Sequence, residues 1–173
     1  MRMIFRELNR RTGPVELEGE VTLQGLEKEN PDLLSLDPLQ VNILAWKEKG
    51  LYQVQGKQHT RVKLNCSRCL TPFSQPLEME WFQAFTDDEQ QMEAWEEEGE
   101  DVRLVQPDQP TDLTPFIREA LLLELPLAPV CQPDCLGLCS VCGSNRNRES
   151  CDCDRERVDP RMAKLQEFFK NQD

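Results

Sequence analysis

Six cysteines lie within the 23 residues from Cys131 to Cys153, and their spacing constrains the fold more than any other feature of this chain. The run has the pattern C-x3-C-x3-C-x2-C-x8-C-x-C. Two further cysteines, Cys66 and Cys69, form an isolated C-S-R-C far upstream. Four thiolates bind zinc tetrahedrally, and a C-x2-C turn presents two sulfurs to one ion. The eight cysteines therefore predict two metal sites, with zinc as the expected ion.

The spacing is compatible with two divisions of these cysteines. In the first, the sites are Cys139, Cys142, Cys151 and Cys153, and Cys66, Cys69, Cys131 and Cys135. In the second, the sites are Cys131, Cys135, Cys139 and Cys142, and Cys66, Cys69, Cys151 and Cys153. The first division is favoured because it makes the contiguous C-terminal unit self-sufficient. It also predicts a long-range link between the two halves of the chain.

Other cysteine chemistries fit the sequence less well. The N-terminus, MRMIFRELNRRTG, lacks the apolar core of a secretory signal, so a reducing cytoplasm and metal binding are expected, and not disulfides. A thioredoxin-type pair opens a helix after a parallel strand, whereas Cys66 follows an alternating, antiparallel-type strand. An iron–sulfur cluster is still compatible with the ligand type.

No stretch of about 18 apolar residues occurs, so no membrane association is expected.

Alternating apolar and polar residues predict an antiparallel sheet in the first 86 residues. The predicted strands cover 15–26, 39–45, 51–66 and 77–81, with a loop at 27–38 and a turn at Lys49-Gly50. Gly56 is expected to bend or split the third strand. Because no helical pattern separates these strands, we predict an α+β fold built on an antiparallel β-meander that curls towards a barrel or sandwich.

The second half of the chain is predicted to contain a linker, a helix and a cysteine-rich module. Nine of the fifteen residues from Asp87 to Asp101 are acidic, which indicates a mobile linker with room for a short helix. A helix is expected to begin at Thr114-Pro115, end before Pro126 and cover the sheet. The predicted domains are a β domain (1–86), an acidic linker (87–110) and the C-terminal part (111–173).

A last helix is predicted at the end of the chain. Asp159-Pro160 supplies a cap and a first-position proline, and Met162, Leu165 and Phe169 form an apolar stripe expected to pack on the β domain.

No catalytic pattern accompanies the cysteines. The single histidine, His59, has no nucleophile near it in sequence, and four thiolates leave a zinc ion without an open position. We therefore expect structural metals, no enzyme and no small-molecule substrate.

The net charge of −12 disfavours general nucleic-acid binding and leaves a basic protein partner open. Residues that can contact nucleic acid or a partner are Lys47, Lys49, Lys57, Arg61, Lys63, Arg68, Arg146 and Arg148.

Several motifs together resemble one known family. They are C-S-R-C-L, an acidic linker, D-L-T-P-F-I-R-E-A-L-L-L-E-L-P, and C-L-G-L-C-S-V-C-G-S-N-R-N followed by C-D-C and D-P-R. This combination, from about Val15 to Phe169, resembles the YceD family of bacterial and plastid proteins implicated in large-subunit ribosomal RNA accumulation. Ser140 stands where the family usually has proline. Some members lack the C-terminal cysteine run.

The resemblance implies a non-catalytic role in the synthesis, processing or stability of the large rRNA. The implied partner is a large-subunit ribosomal protein or a pre-ribosomal particle, with rRNA contact secondary, in the cytoplasm or a plastid stroma. The competing hypothesis is a metal–thiolate redox sensor or a zinc-dependent regulator.

Overall fold

The computed structural model describes residues 1–11 and 13–154; the predicted C-terminal helix lies outside them. The strands are β1 (Arg2–Ile4), β2 (Val15–Val21), β3 (Leu33–Leu36), β4 (Leu39–Glu48), β5 (Leu51–Asn65), β6 (Pro72–Thr86), β7 (Val102–Leu104) and β8 (Pro110–Asp112). The helices are a 3-10 helix (Phe5–Asn9), α1 (Leu26–Glu29), α2 (Glu89–Glu97) and α3 (Thr114–Glu124).

One sheet dominates the fold. Its strand order is β2-β4-β5-β6-β7, and every pair is antiparallel except β6 with β7. β3 pairs with β5 beyond the end of β4, and β1 pairs with β8 as a separate ribbon. The predicted α+β class and antiparallel meander are confirmed. The sheet stays open, with β2 and β7 at its edges, because α3 covers its apolar face in place of a second sheet.

The strands β5 and β6 form a hairpin of fifteen residues on each side, roughly 50 Å long. Gly56 neither splits nor ends β5. A Cβ atom at this position would lie 2.1 Å from the Trp81 ring, so the absent side chain leaves room for the indole. Trp81 in turn stacks on Phe116 of α3, with ring centroids 5.6 Å apart. The predicted turn at Lys49-Gly50 is present, and both residues have positive φ.

The segment predicted as a loop at 27–38 carries secondary structure. It begins within α1 and includes β3, whose Leu33 is buried. β5 extends past the end of β4, so its backbone groups there need another partner, and β3 supplies it. Two prolines and several charged residues conceal this strand in the sequence.

The predicted acidic linker also contributes to the fold. Asp88 caps α2 by accepting hydrogen bonds from the N–H groups of Gln90 and Gln91. Trp95 packs against Leu51, Ala84 and Val102, and β7 extends the sheet. The short helix that the composition allows is therefore present, and the segment is anchored at two points. The division of the chain into three domains stays a prediction.

The helix α3 covers the inner face of the sheet, as predicted. Its buried residues are Phe116, Ile117, Ala120 and Leu121. The Gln58 side chain of β5 donates a hydrogen bond of 2.8 Å to the Ile117 carbonyl. The predicted cap is one residue off, because Leu113 occupies the N-cap position. Asp112 accepts hydrogen bonds from both the backbone N–H and the hydroxyl of Thr114.

These hydrogen bonds from Thr114 hold the pKa of Asp112 below its usual value. A lowered pKa in the folded state stabilises the fold above the unfolded pKa of about 3.9, and the contribution disappears as pH falls through the folded value. Because Asp112 is half exposed, we expect Asp112→Asn to lower the free energy of unfolding at pH 7 by about 1 kcal/mol or less.

Urea unfolding at a series of pH values tests this prediction. The difference in free energy of unfolding between the wild-type protein and Asp112→Asn should disappear at acidic pH, and Asp134→Asn, at an exposed position, serves as the control. A difference that persisted below the folded pKa of Asp112 would show that the stabilisation does not come from the ionised carboxylate.

Candidate metal centres

The first group of thiols, which we call the clasp, contains Cys66, Cys69, Cys131 and Cys135. The first two lie in the turn that joins β5 to β6, where Cys66 donates its N–H to Thr71 and Leu70 donates to Cys66. The other two come from the segment after α3. The structure thus joins the end of the long hairpin to the C-terminal part of the chain.

The sulfur positions fit one tetrahedral ion. The Cys66 and Cys135 sulfurs are 3.8 Å apart, and those of Cys69 and Cys131 are 3.7 Å apart. Zinc–sulfur bonds of about 2.3 Å place tetrahedral ligands about 3.8 Å from one another. In a disulfide, the two sulfur atoms are about 2.05 Å apart. A cluster of several iron atoms separates its thiolates further, because they bind different irons.

Backbone contacts hold the two halves of the clasp together. The N–H and hydroxyl of Ser67 both donate to the Pro129 carbonyl, at 2.7 and 2.9 Å. The Arg68 guanidinium donates to the Cys135 carbonyl at 3.1 Å. Cys66, Cys69 and Cys135 are buried, with Phe73 and Leu138 packed against them. Three of the four clasp cysteines are therefore shielded from solvent, and Cys131 is partly exposed.

The second group, the C-terminal site, contains Cys139, Cys142, Cys151 and Cys153, and its four sulfurs also lie within 4.8 Å of one another. Cys139 donates its N–H to Ser144 and accepts from Gly143, whose φ of +76° suits glycine. Cys142 is exposed and its sulfur lies 3.1 Å from the Ser144 hydroxyl. This site faces solvent much more than the clasp does.

The thiols in each group have strongly separated pKa values. Burial raises the pKa of Cys66, but N–H groups of Cys131, Cys69 and Arg68 outweigh it and bring the value to about 6. Burial and the neighbouring thiols raise the pKa of Cys131 to about 12. In the C-terminal site, backbone N–H groups lower the pKa of Cys139 to about 6, and Cys142 raises that of Cys153 to about 12. Crowded thiols that cannot all ionise favour a cation that replaces their protons.

The structure groups the eight thiols as in the first of the two divisions. Cys131 and Cys135 lie beside the Cys66–Cys69 turn, and the C-terminal site is formed by one contiguous segment. Either group could hold one metal ion. That they do so, and that the ion is zinc, remains a proposal.

The predicted basic residues do not form a single patch. Lys57, Arg61 and Lys63 line the solvent face of β5, opposite the residues that contact α3, and Lys57 pairs with Glu80 at 2.9 Å. Lys47 lies over the Tyr52 ring near the opposite end of the hairpin from the clasp, next to Lys49 in the turn.

Near the clasp, two of the predicted arginines have structural contacts. Arg68 and Arg146 donate to backbone carbonyls of the 133–136 segment. Arg148 is exposed in the same loop as Arg146. A role for these residues in contacting nucleic acid or a partner stays a prediction.

Sequence reasoning missed three polar residues beside the cysteines: Thr71, Asn145 and Asn147. Asn147 donates a hydrogen bond of 3.4 Å to the Cys135 sulfur, and Asn145 donates to the Thr71 hydroxyl. The sequence signal for the two asparagines is the N-x-N that follows the C-x2-C-G knuckle.

Comparison with known proteins identifies the family. The profile of a family described as "Large ribosomal RNA subunit accumulation protein YceD" matches residues 54–169, which include both groups of thiols. The chain belongs to the YceD family. This match extends from β5 through the clasp and beyond the C-terminal site.

Similar proteins occur in bacteria and in plants. An uncharacterised protein of Mycobacterium tuberculosis is 39% identical over 104 residues, which cover 60% of this chain and 49% of the relative. Bacillus subtilis YlbN, also called uncharacterised, is 29% identical over 170 residues, covering 91% of this chain and 90% of YlbN. An Arabidopsis thaliana chloroplastic protein, a YCED homolog named for large ribosomal RNA subunit accumulation, is 25% identical over 146 residues, covering 70% and 46%.

The chain spans about half the length of the first of these curated relatives and of the plant protein. No solved structure matches it. Among the helices of the described residues, none has the length and apolar character needed to cross a membrane.

The exposure of the thiols predicts their order of reaction in the reduced, metal-free protein. The hydroxyl and backbone N–H of Ser144 lower the pKa of Cys142, which raises its thiolate fraction at pH 7, and Cys142 is exposed. We expect limiting N-ethylmaleimide to label Cys142 first and the buried Cys66 much later, as followed by peptide mass spectrometry. Denatured protein provides the control, and equal labelling rates in the folded protein would show that the clasp opens without metal.

Proposed function

We propose that this chain is a non-catalytic zinc-binding factor that supports the accumulation of large-subunit ribosomal RNA. The observation that carries the proposal is the family match over residues 54–169, together with plant relatives named for that role. The chain acts by binding a large-subunit ribosomal protein or a pre-ribosomal particle, with rRNA contact secondary. Its place is the cytoplasm, or the plastid stroma in a photosynthetic eukaryote.

Zinc is proposed because the donor set and the sulfur spacing fit it. Four thiolates complete a tetrahedral shell, so a zinc ion there has no open position for a reactive water. Such an ion supplies folding free energy and no chemistry. His59 lies exposed on the solvent face of β5, between Gln40 and Glu78 in register. These features support a binding function over an enzymatic one.

The solvent face of the sheet supports a basic protein as the direct partner. Three rows of side chains cross it in register, and their carboxylates come from Glu16, Glu18 and Glu20 on β2 and from Glu78 and Glu80 on β6. The rings of Trp46 and Phe82 lie 6.3 Å apart on the same face, and Phe82 is 57% exposed. Lysine and arginine side chains of a partner pair with these carboxylates and stack on such rings, and Arg61 and Lys63 of the same face are placed for the secondary contact with rRNA phosphates.

The functional test begins with cells that lack the protein. We expect fewer large subunits in sucrose gradients and less mature large rRNA, both restored by the intact chain. Unchanged gradients and unchanged rRNA would contradict the proposed function.

A charge-reversal pair tests the partner surface. Glu18→Lys with Glu78→Lys should reduce recovery of basic ribosomal proteins in nuclease-treated pull-downs by about tenfold, since several carboxylate contacts are lost. Glu96→Lys with Glu97→Lys on α2 changes the net charge equally and serves as the control. If nuclease treatment abolishes recovery with the intact chain, RNA and not protein is the direct ligand.

Metal analysis tests the two sites. We expect two zinc ions per chain, and one ion each in Cys66→Ser and Cys142→Ser under saturating zinc. Cys66→Ser should free the C-terminal part from the hairpin, whereas Cys142→Ser should unfold only the C-terminal site, as hydrogen exchange will report. Two ions retained in both variants would contradict the assigned groups.

The exposed Cys142 favours one second candidate, a thiolate redox sensor. Rapid and reversible zinc loss at low peroxide, with intact rRNA levels in cells lacking the protein, would support the sensor. Zinc retention under the same conditions would support the structural role.

A further inference from the structure

The loop of the C-terminal site lies directly against the clasp. Asn147, between Cys142 and Cys151 in sequence, uses both ends of its side-chain amide there. Its nitrogen donates to the Cys135 sulfur at 3.4 Å, and its oxygen accepts the N–H of Leu136 at 2.8 Å. A residue from the loop of one group of thiols therefore contacts a sulfur of the other.

A second asparagine fixes the first. The Asn145 carbonyl oxygen accepts from the backbone N–H of Asn147 at 3.0 Å and from its side-chain nitrogen at 2.9 Å. The Asn145 nitrogen donates to the Thr71 hydroxyl at 3.2 Å. The backbone carbonyl of Thr71 in turn accepts the N–H of Cys66 at 3.1 Å. The loop thus reaches both halves of the clasp.

Backbone hydrogen bonds complete the contact. Leu138 and Asn145 form a β-bridge, and Arg146 donates its N–H to the Gly137 carbonyl at 3.0 Å. Gly137 has a φ of +73°, and a Cβ atom there would lie 3.1 Å from the Arg68 carbonyl. The 135–138 segment is therefore held between the Cys66–Cys69 turn on one side and the 143–147 loop on the other.

The C-terminal site determines where this loop lies. Cys142 precedes the loop and Cys151 follows it, and Cys139 receives and donates the hydrogen bonds that form its first turn. An ion bound by these cysteines closes both ends of the loop. Without the ion, hydrogen bonds alone hold the two asparagines against the clasp.

We propose that Asn147 is a positioning residue that couples the two metal sites, so that metal in the C-terminal site raises the affinity of the clasp for metal. This inference rests on the proposed function only in that both groups bind zinc. Hydrogen bonds to thiolate ligands stabilise the charged form, and loss of such outer partners typically weakens metal affinity by about 10- to 100-fold. Coupling between binding sites is reciprocal, so metal in the clasp also favours metal in the C-terminal site.

The test measures each site separately in the full chain. Reduced protein is equilibrated in zinc buffers of graded free concentration and alkylated with excess N-ethylmaleimide for a time that labels all eight cysteines of the zinc-free protein. Mass spectrometry then gives a zinc-protection midpoint for each cysteine. Asn147→Ala should move the clasp midpoint to about tenfold higher free zinc or more. Arg148→Ala, an exposed neighbour in the same loop, should leave it unchanged.

A double-mutant cycle distinguishes coupling from a local effect. Cys142→Ser with Cys151→Ser removes the C-terminal site and should shift the clasp midpoint about as far as Asn147→Ala does. The combination of all three substitutions should shift the clasp midpoint no further, because the cysteine substitutions and Asn147→Ala remove the same coupling. Additive shifts, or no shift in Asn147→Ala, would overturn the proposal.

The Asn147→Asp variant tests the proposed coupling even if the cysteine variant fails to fold. Aspartate retains the acceptor for the Leu136 N–H but replaces the donor beside the Cys135 sulfur with a charge that repels thiolate. Its clasp midpoint should shift at least as far as that of Asn147→Ala, and an unchanged midpoint would contradict the proposal. If zinc protects neither group in the intact chain, the proposal that the chain binds zinc is wrong. If zinc protects both groups and the Asn147 variants leave the midpoints unchanged, only the proposed coupling is wrong.

Discussion

The junction between Cys66–Cys69 and Cys131–Cys135 is the constraint that holds the C-terminal part of the chain against the end of the hairpin. The end of the β5–β6 hairpin extends past β4, and its inward residues Val62 and Leu64 are nonetheless buried. β3 covers this end along the strand edge, and the segment after α3 covers its tip, with Leu138 packed on the cysteines. Cys69 and Cys131 are 62 residues apart, so closing this loop is costly in entropy, a cost that a shared metal ion would offset.

Local sequence signals predicted most of the sheet and the main helix. Alternation identified β2, β4 and β5, and the apolar stripe identified α3, because these elements bury one face in a regular pattern. β3, α2 and β7 were harder to detect. Each depends on a surface that another element provides, such as the unpaired end of β5 or the pocket that takes Trp95. Three-residue strands and charged helices carry too little periodicity of their own.

In the metal centres, too, some features have a local sequence signal and others depend on tertiary contacts. The ligand types and the favoured grouping followed from thiolate chemistry and from the spacing of the cysteines. The contacts of Arg68, Arg146 and Asn147 did not, because they depend on how the 135–138 segment is clamped in three dimensions. A basic residue beside a knuckle is ambiguous in sequence. Here two arginines stabilise backbone carbonyls, which leaves the charges on the solvent face of the sheet as the more available ones.

The two groups of thiols differ in their exposure to solvent. The clasp is buried and joins distant parts of the chain, whereas the C-terminal site is exposed and contains Cys142 at the surface. Oxidants and metal ions in solution therefore reach the C-terminal site first. If Asn147 transmits the loss to Cys135, the junction that caps the hairpin weakens next, while the core between the sheet and α3, which contains no cysteine, keeps its packing. A YceD chain of this type would then lose the relative placement of its surfaces before it lost its fold.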